Sequence, residues 1–137
     1  MNYTISLLFL YLSLINVTYS AEDNFLINLK INELSILEKE DLYKFLYLQR
    51  EALVFAHQKK ELEATLTVEL YQQQKIETQE LENKYYQAKK VGNKLYYTLS
   101  PKTRNIIDKI MSDCMMPGTG NLCMKKVLAI LNYIMNT

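Results

Sequence analysis

Apolar residues recur at three- and four-residue steps along most of this chain, the spacing at which side chains share one face of an α-helix. Phe25, Leu26, Leu29 and Ile31 suggest a short apolar helix or arm. Ser35-Ile36-Leu37-Glu38 then has the form of a capping box. In that arrangement the Ser hydroxyl and the Glu carboxylate each satisfy an amide that the first helical turn leaves unbonded. The stripe Leu42, Phe45, Leu46, Gln49, Leu53 and Ala56, broadened by Tyr43, Tyr47 and Val54, predicts a strong helix behind the cap. Apolar density falls at His57-Gln58-Lys59-Lys60, and Leu62, Leu66, Leu70 and Gln73 begin a second phase. The join has no Gly or Pro, so a bend and a continuous helix both remain open.

Thr78 is a candidate cap for the next helix, in which Leu81, Tyr85, Ala88, Gly92, Leu95 and Leu99 form a packing seam. A Gly there costs about 1 kcal/mol relative to Ala, which points to close approach of a neighbouring helix or of a ligand. Ser100-Pro101 stops this helix and starts another, because Ser is a good N-cap and Pro loses nothing in the first turn. Ile106, Ile107, Ile110, Met111, Cys114 and Met115 form the inward stripe of that helix. Pro117-Gly118-Thr119-Gly120 predicts a turn, and Asn121 a cap for a last helix with Cys123, Val127, Ile130, Leu131 and Ile134 facing inward. No window alternates long enough to argue for a strand. The fold class expected is all-α, a small helical bundle of about five to six amphipathic helices.

The N-terminal end changes the setting. From Met1 to Ala21 there is no charged side chain, and Ile5 to Ile15 is an apolar run of signal-peptide length, short of the roughly 20 residues a membrane span requires. Thr18 and Ser20 place small side chains where a signal peptidase reads. Residues 1–20 are therefore expected to be a cleavable secretory signal peptide, and residues 21–137 a single secreted helical domain. Export puts Cys114 and Cys123 in an oxidising compartment, so one disulfide between them is expected.

Three Gly and two Pro leave helix breakers scarce, which excludes collagen-like and disordered classes. The net charge of +1 is unevenly divided: 13 acidic and 7 basic residues lie between Ala21 and Glu82, against 2 acidic and 9 basic between Asn83 and Thr137. The expectation is that the two halves pack as helices with complementary faces, with an anionic-ligand or transient membrane contact as the other reading. His57 is the single histidine, which leaves no cluster for metal-assisted hydrolysis, and a Cys or Ser nucleophile would have to recruit it across the fold. No enzyme activity, cofactor or metal is expected. Lys84, Lys89, Lys90, Lys94, Lys102 and Arg104, interleaved with Tyr85, Tyr86, Tyr96 and Tyr97, superficially suit stacking on single strands. Export and an ordinary amphipathic helix account for them without nucleic acid. Eleven Tyr and six Met with no Trp suit either a core or the lining of an apolar ligand site with lysines at its mouth.

The segment Leu99-Ser100-Pro101-Lys102-Thr103-Arg104-Asn105-Ile106-Ile107-Asp108-Lys109-Ile110 resembles the Leu-Ser-Pro helix opening of the nematode fatty-acid- and retinol-binding proteins. Leu81 to Ala88 is similar to that family's preceding helix, and Leu37-Glu38-Lys39-Glu40-Asp41 to its early helix start, so the likeness runs from Leu34 to Met135. A second family, the SXP-type secreted nematode antigens, is similar in helix content and in Leu-Ser-Pro-like starts. The first resemblance implies a secreted helical carrier that holds fatty acids or retinoids in an apolar cavity or groove and performs no chemistry. The lining residues expected on this reading are Leu46, Leu53, Leu66, Leu95, Ile107, Ile110, Met111 and Ile130, with Lys94 or Arg104 as head-group partners. The alternative is a secreted helical interaction protein with a solid core that acts on an extracellular or host partner.

Overall fold

In the computed structural model, the residues described are 24–137 apart from Leu66, Leu70, Asp113 and residues 116–119. The expected signal peptide, its cleavage point and most of the Pro117 turn lie outside them. The chain divides into two compact units, one ending at Glu33 and the other running from Leu34 to Thr137. In the first, residues 24–32 are helical. Ile27 and Ile31, one turn apart, are its buried side chains, while Phe25, Leu26 and Leu29 are exposed.

The second unit holds four helices, and every regular element among the described residues is helical: α1 (Ile36–Ala64), α2 (Tyr71–Thr98), α3 (Pro101–Ser112) and α4 (Gly120–Met135). The fold is all-α. The capping box at the head of α1 forms in full, with the Glu38 amide donating to Ser35 Oγ and the Ser35 amide to Glu38 Oε1, both at 3.1 Å. Helix α1 continues through His57-Gln58-Lys59-Lys60 without a break, since nothing there opposes helix, and ends at Ala64 with Thr65 as its C-cap.

Helix α2 starts seven residues before Thr78, whose hydroxyl instead bonds back to the Gln74 carbonyl at 2.6 Å inside the helix. The device that shapes the α1–α2 connection is Gln74. Its side chain accepts from the Thr67 amide and donates to the Thr65 carbonyl, each at 3.1 Å, so one buried amide supplies the groups a turn needs.

Helices α1 and α2 form the most extensive contact, running antiparallel. Lys59 lies near Glu82 beside the turn, Gln49 meets Lys89 midway, and Phe45 meets Tyr96 further along. Gly92 is buried at the centre of this contact, where an added Cβ would lie 3.5 to 4.0 Å from Gln49, Phe45 and Leu48. The neighbouring helix therefore explains the glycine. Helix α1 also packs on α4 and, less extensively, on α3.

Ser100 caps α3, its carbonyl accepting from the Arg104 amide at 2.9 Å and its hydroxyl from the Thr103 amide at 3.3 Å. Leu42, Phe45, Leu46 and Ala52 of α1 and Ile106, Ile107 and Ile110 of α3 are buried, as are Cys123, Val127, Ile130 and Leu131 of α4. Cys114 and Cys123 form the expected disulfide, with their Cα atoms 4.9 Å apart. It ties the end of α3 to the first turn of α4 across a separation of nine residues.

Tyrosine and methionine are placed differently from the core. None of the eight described tyrosines is buried, and Met115 and Met135 are largely exposed. The charge asymmetry also takes an unexpected form. Among the described residues, the ion pair between α1 and α2, Lys59 with Glu82 at 3.7 Å, has its cation on α1. Lys89 of α2 reaches a neutral amide rather than a carboxylate.

Candidate apolar groove

Between α1 and α2 lies an open groove of about 490 Å³, lined by Tyr43, Lys44, Tyr47 and Leu48 of α1 and Val91 and Leu95 of α2. The helices set its width because Gly92 lets them approach just inside it, while Val91 and Leu95, one turn apart, present their side chains at its other wall. Tyr43 and Tyr47 stack at 6.4 Å between centroids, and the Tyr43 hydroxyl lies 3.6 Å from Met135 Sδ at the end of α4. The ring faces thus form an apolar wall whose phenol ends reach water. Lys44 supplies the cation on the lining. A groove of this size suits a single apolar chain laid along it, with one side left open.

Three polar contacts tie the helices to one another. Ser100 Oγ donates to Glu38 Oε2 at 2.5 Å and pairs with Thr103 Oγ1 at 2.9 Å, so one carboxylate joins the N-terminal caps of α1 and α3. The Ser100 hydroxyl, followed by the Ser35 amide, holds the Glu38 carboxyl below its usual value. A lowered folded value means that this contribution to stability is complete above the ordinary glutamate range and is lost as pH falls through the folded value. Glu38→Gln keeps an acceptor for Ser35 but removes this titration. Thermal unfolding followed from neutral to acid pH should therefore show a shallower acid limb in the variant.

On the other side of the seam, Lys89 Nζ donates to Gln49 Oε1 at 3.0 Å, and burial pulls the Lys89 ammonium below its ordinary value. Gln49 is almost fully buried, and no buried side-chain polar atom among the described residues lacks a partner. Lys89→Met would leave the Gln49 oxygen unpaired at a cost of about 1 to 3 kcal/mol, and adding Gln49→Leu should recover most of it, as read by urea unfolding of the single and double variants. The third contact is the Tyr96 hydroxyl donating to Asp108 Oδ1 at 2.7 Å, which raises the Tyr96 value and links α2 to α3.

The structure does not gather the ligand residues expected from the sequence into one site. Leu46, Ile107, Ile110 and Ile130 are fully or almost fully buried and belong to the packed interior. Leu53 lines a separate groove with His57, Gly120 and Met124, between α1 and the start of α4. Met111 and Arg104 are half-buried on α3 and do not line the groove, and Leu66 lies outside the described residues. Leu95 is in the apolar groove. Lys94 lines a neighbouring one with Tyr86, Lys89, Lys90, Asn93 and Tyr97. The missed residues are Tyr43, Lys44, Tyr47, Leu48 and Val91, of which Tyr43 and Tyr47 had stood out only as a broadening of the stripe.

What the fold and site define is an all-α protein with a disulfide-tied C-terminal helix pair and an apolar surface groove. Among the described residues no helix is long and apolar enough to cross a membrane, and no cluster of His, Cys, Asp and Glu is suited to a metal ion. No protein-family model matches the chain, and neither does any curated protein or solved structure.

Proposed function

We propose that this chain is a secreted helical carrier that holds a fatty acid or retinoid along the α1–α2 groove. The observation that carries the proposal is the groove itself, whose lining of Tyr43, Tyr47, Leu48, Val91 and Leu95 is apolar apart from Lys44, with that one lysine available to a carboxylate head. Export is supported by the apolar, uncharged leader and by the Cys114–Cys123 disulfide, a bond that persists in oxidising compartments. Because the chain would be covered on one side only, affinity in the micromolar range is expected, with dissociation fast enough for a carrier to deliver its load.

Displacement of a fluorescent fatty acid tests the proposal. Wild type should bind saturably, Val91→Asp and Leu95→Asp should abolish binding by placing a carboxylate against the acyl chain, and Lys44→Gln should weaken fatty acid more than retinol. Absence of saturable binding would turn the reading to its rival, a secreted protein whose exposed apolar face engages another protein.

A further inference from the structure

The outer face of α2 carries a feature the groove does not use. Tyr86, Lys90, Lys94 and Tyr97 recur at steps of four, four and three, which places them in one stripe along the helix. Tyr86 is 60% and Tyr97 77% exposed. Lys90 and Lys94, between them, are exposed and have no ion-pair or hydrogen-bond partner among the described residues. From Asn83 to Thr98 the helix holds four lysines and no acid, so this face has no carboxylate of its own to neutralise it. The four tyrosines pair as chain neighbours, Tyr85 edge-on with Tyr86 and Tyr96 edge-on with Tyr97, so that the half-buried Tyr85 and Tyr96 sit inward, Tyr96 bonding Asp108, and Tyr86 and Tyr97 are the outward rings.

We infer that this stripe is a docking face for an anionic lipid bilayer. The lysines complement the lipid charge, and the two outward tyrosines suit the headgroup layer, where an amphipathic ring keeps its body in acyl chains and its hydroxyl in water. Single-stranded nucleic acid fits less well. Tyr86 and Tyr97 are eleven residues apart on a helix, about 16 Å, which is too far for successive bases to stack on both. The stripe lies beside the groove on the same helix, since Val91 and Leu95 each directly follow one of its lysines in sequence. A bilayer docked here would bring lipid to the mouth of the groove, but the docking does not depend on what the groove holds.

The absence of any Trp from the sequence supplies a site-specific probe. In the full chain carrying Tyr97→Trp, fluorescence should shift to the blue on adding vesicles of phosphatidylcholine mixed with phosphatidylserine, and should stay unchanged with phosphatidylcholine alone. Adding Lys90→Gln and Lys94→Gln should raise the lipid needed for half the shift about twenty-five-fold, taking each lysine near an anionic surface as worth about fivefold. A second reporter, Leu37→Trp at the exposed start of α1, should not shift, which separates docking by this face from adsorption through the leader. Unchanged circular dichroism establishes that each variant is folded. An equal shift with neutral vesicles would overturn the proposal, as would no effect of the lysine changes or tighter response to oligothymidylate or heparin than to vesicles.

Discussion

Replacing Leu46 by alanine is expected to destabilise the protein by about 3 to 4 kcal/mol, the cost of deleting a fully enclosed Leu side chain from an interior that relaxes only in part. Leu46 is entirely buried on the inward face of α1, the helix that packs against each of the other three. The same substitution should leave affinity for an apolar ligand within a factor of about two, since a change below 0.4 kcal/mol is all that a residue outside the groove should transmit. The alternative arrangement gives the opposite pair of results. Were Leu46 the wall of a ligand cavity, truncation would enlarge a space already present, cost little without ligand and change affinity markedly. Urea unfolding and a ligand titration on one variant thus distinguish a solid interior with a surface groove from a hollow bundle. Ile110→Ala, at an equally buried position on α3, should behave alike.

Breaking the Cys114–Cys123 bridge has the second largest expected effect. Closing a loop of this length removes unfolded-state freedom worth roughly 2 to 3 kcal/mol in the chain-entropy model. For a domain of about 100 residues, that loss corresponds to a fall of some 10 °C or more in melting temperature. The disulfide matters for a further reason. Contact between α3 and α4 is slight compared with that between α1 and α4, so the bridge is the main tie between the two final helices. Cys114→Ala with Cys123→Ala should reproduce the effect of reductant on the wild type, and reductant should then have no further effect on the double variant. Mass measurement after alkylation, with and without reduction, reads the bond directly.

Much of the fold was legible because its signals are local. Ser35 and Glu38 announce the start of α1 through hydrogen bonds within one turn, and Ser100-Pro101 marks the boundary of α2 and α3 by backbone chemistry alone. The cysteine pair followed from spacing and compartment. Thr78 misled because a Thr hydroxyl bonds a carbonyl four residues back as readily as it caps an amide, and only the tertiary placement of Gln74 decided where α2 begins.

The site was harder to read for a different reason. Helical periodicity identifies which residues face inward, but it does not say whether the inward space is filled. Leu46, Ile107, Ile110 and Ile130 share the right stripe, and the structure fills it with one another's neighbours. The groove instead lies at the edge of the stripe, where Tyr43, Tyr47 and Val91 are too exposed to count as core and too apolar to count as surface. Such a margin is set by how far apart two helices sit, which in this chain depends on Gly92 and its contacts across the seam. Charge was similarly ambiguous: a basic half opposite an acidic half suggested pairing, whereas Lys90 and Lys94 remain directed to solvent.

On the proposed function, an apolar ligand lies in the α1–α2 groove and not in the interior. Photo-crosslinking with a diazirine-bearing fatty acid, followed by peptide mass spectrometry, tests it most directly. Adducts should concentrate on Tyr43, Lys44, Tyr47 and Leu48 and on Val91 and Leu95, and an excess of unlabelled fatty acid should suppress them. Adducts centred on Leu46 with Ile107, Ile110 and Ile130, or labelling that competitor does not reduce, would contradict the account.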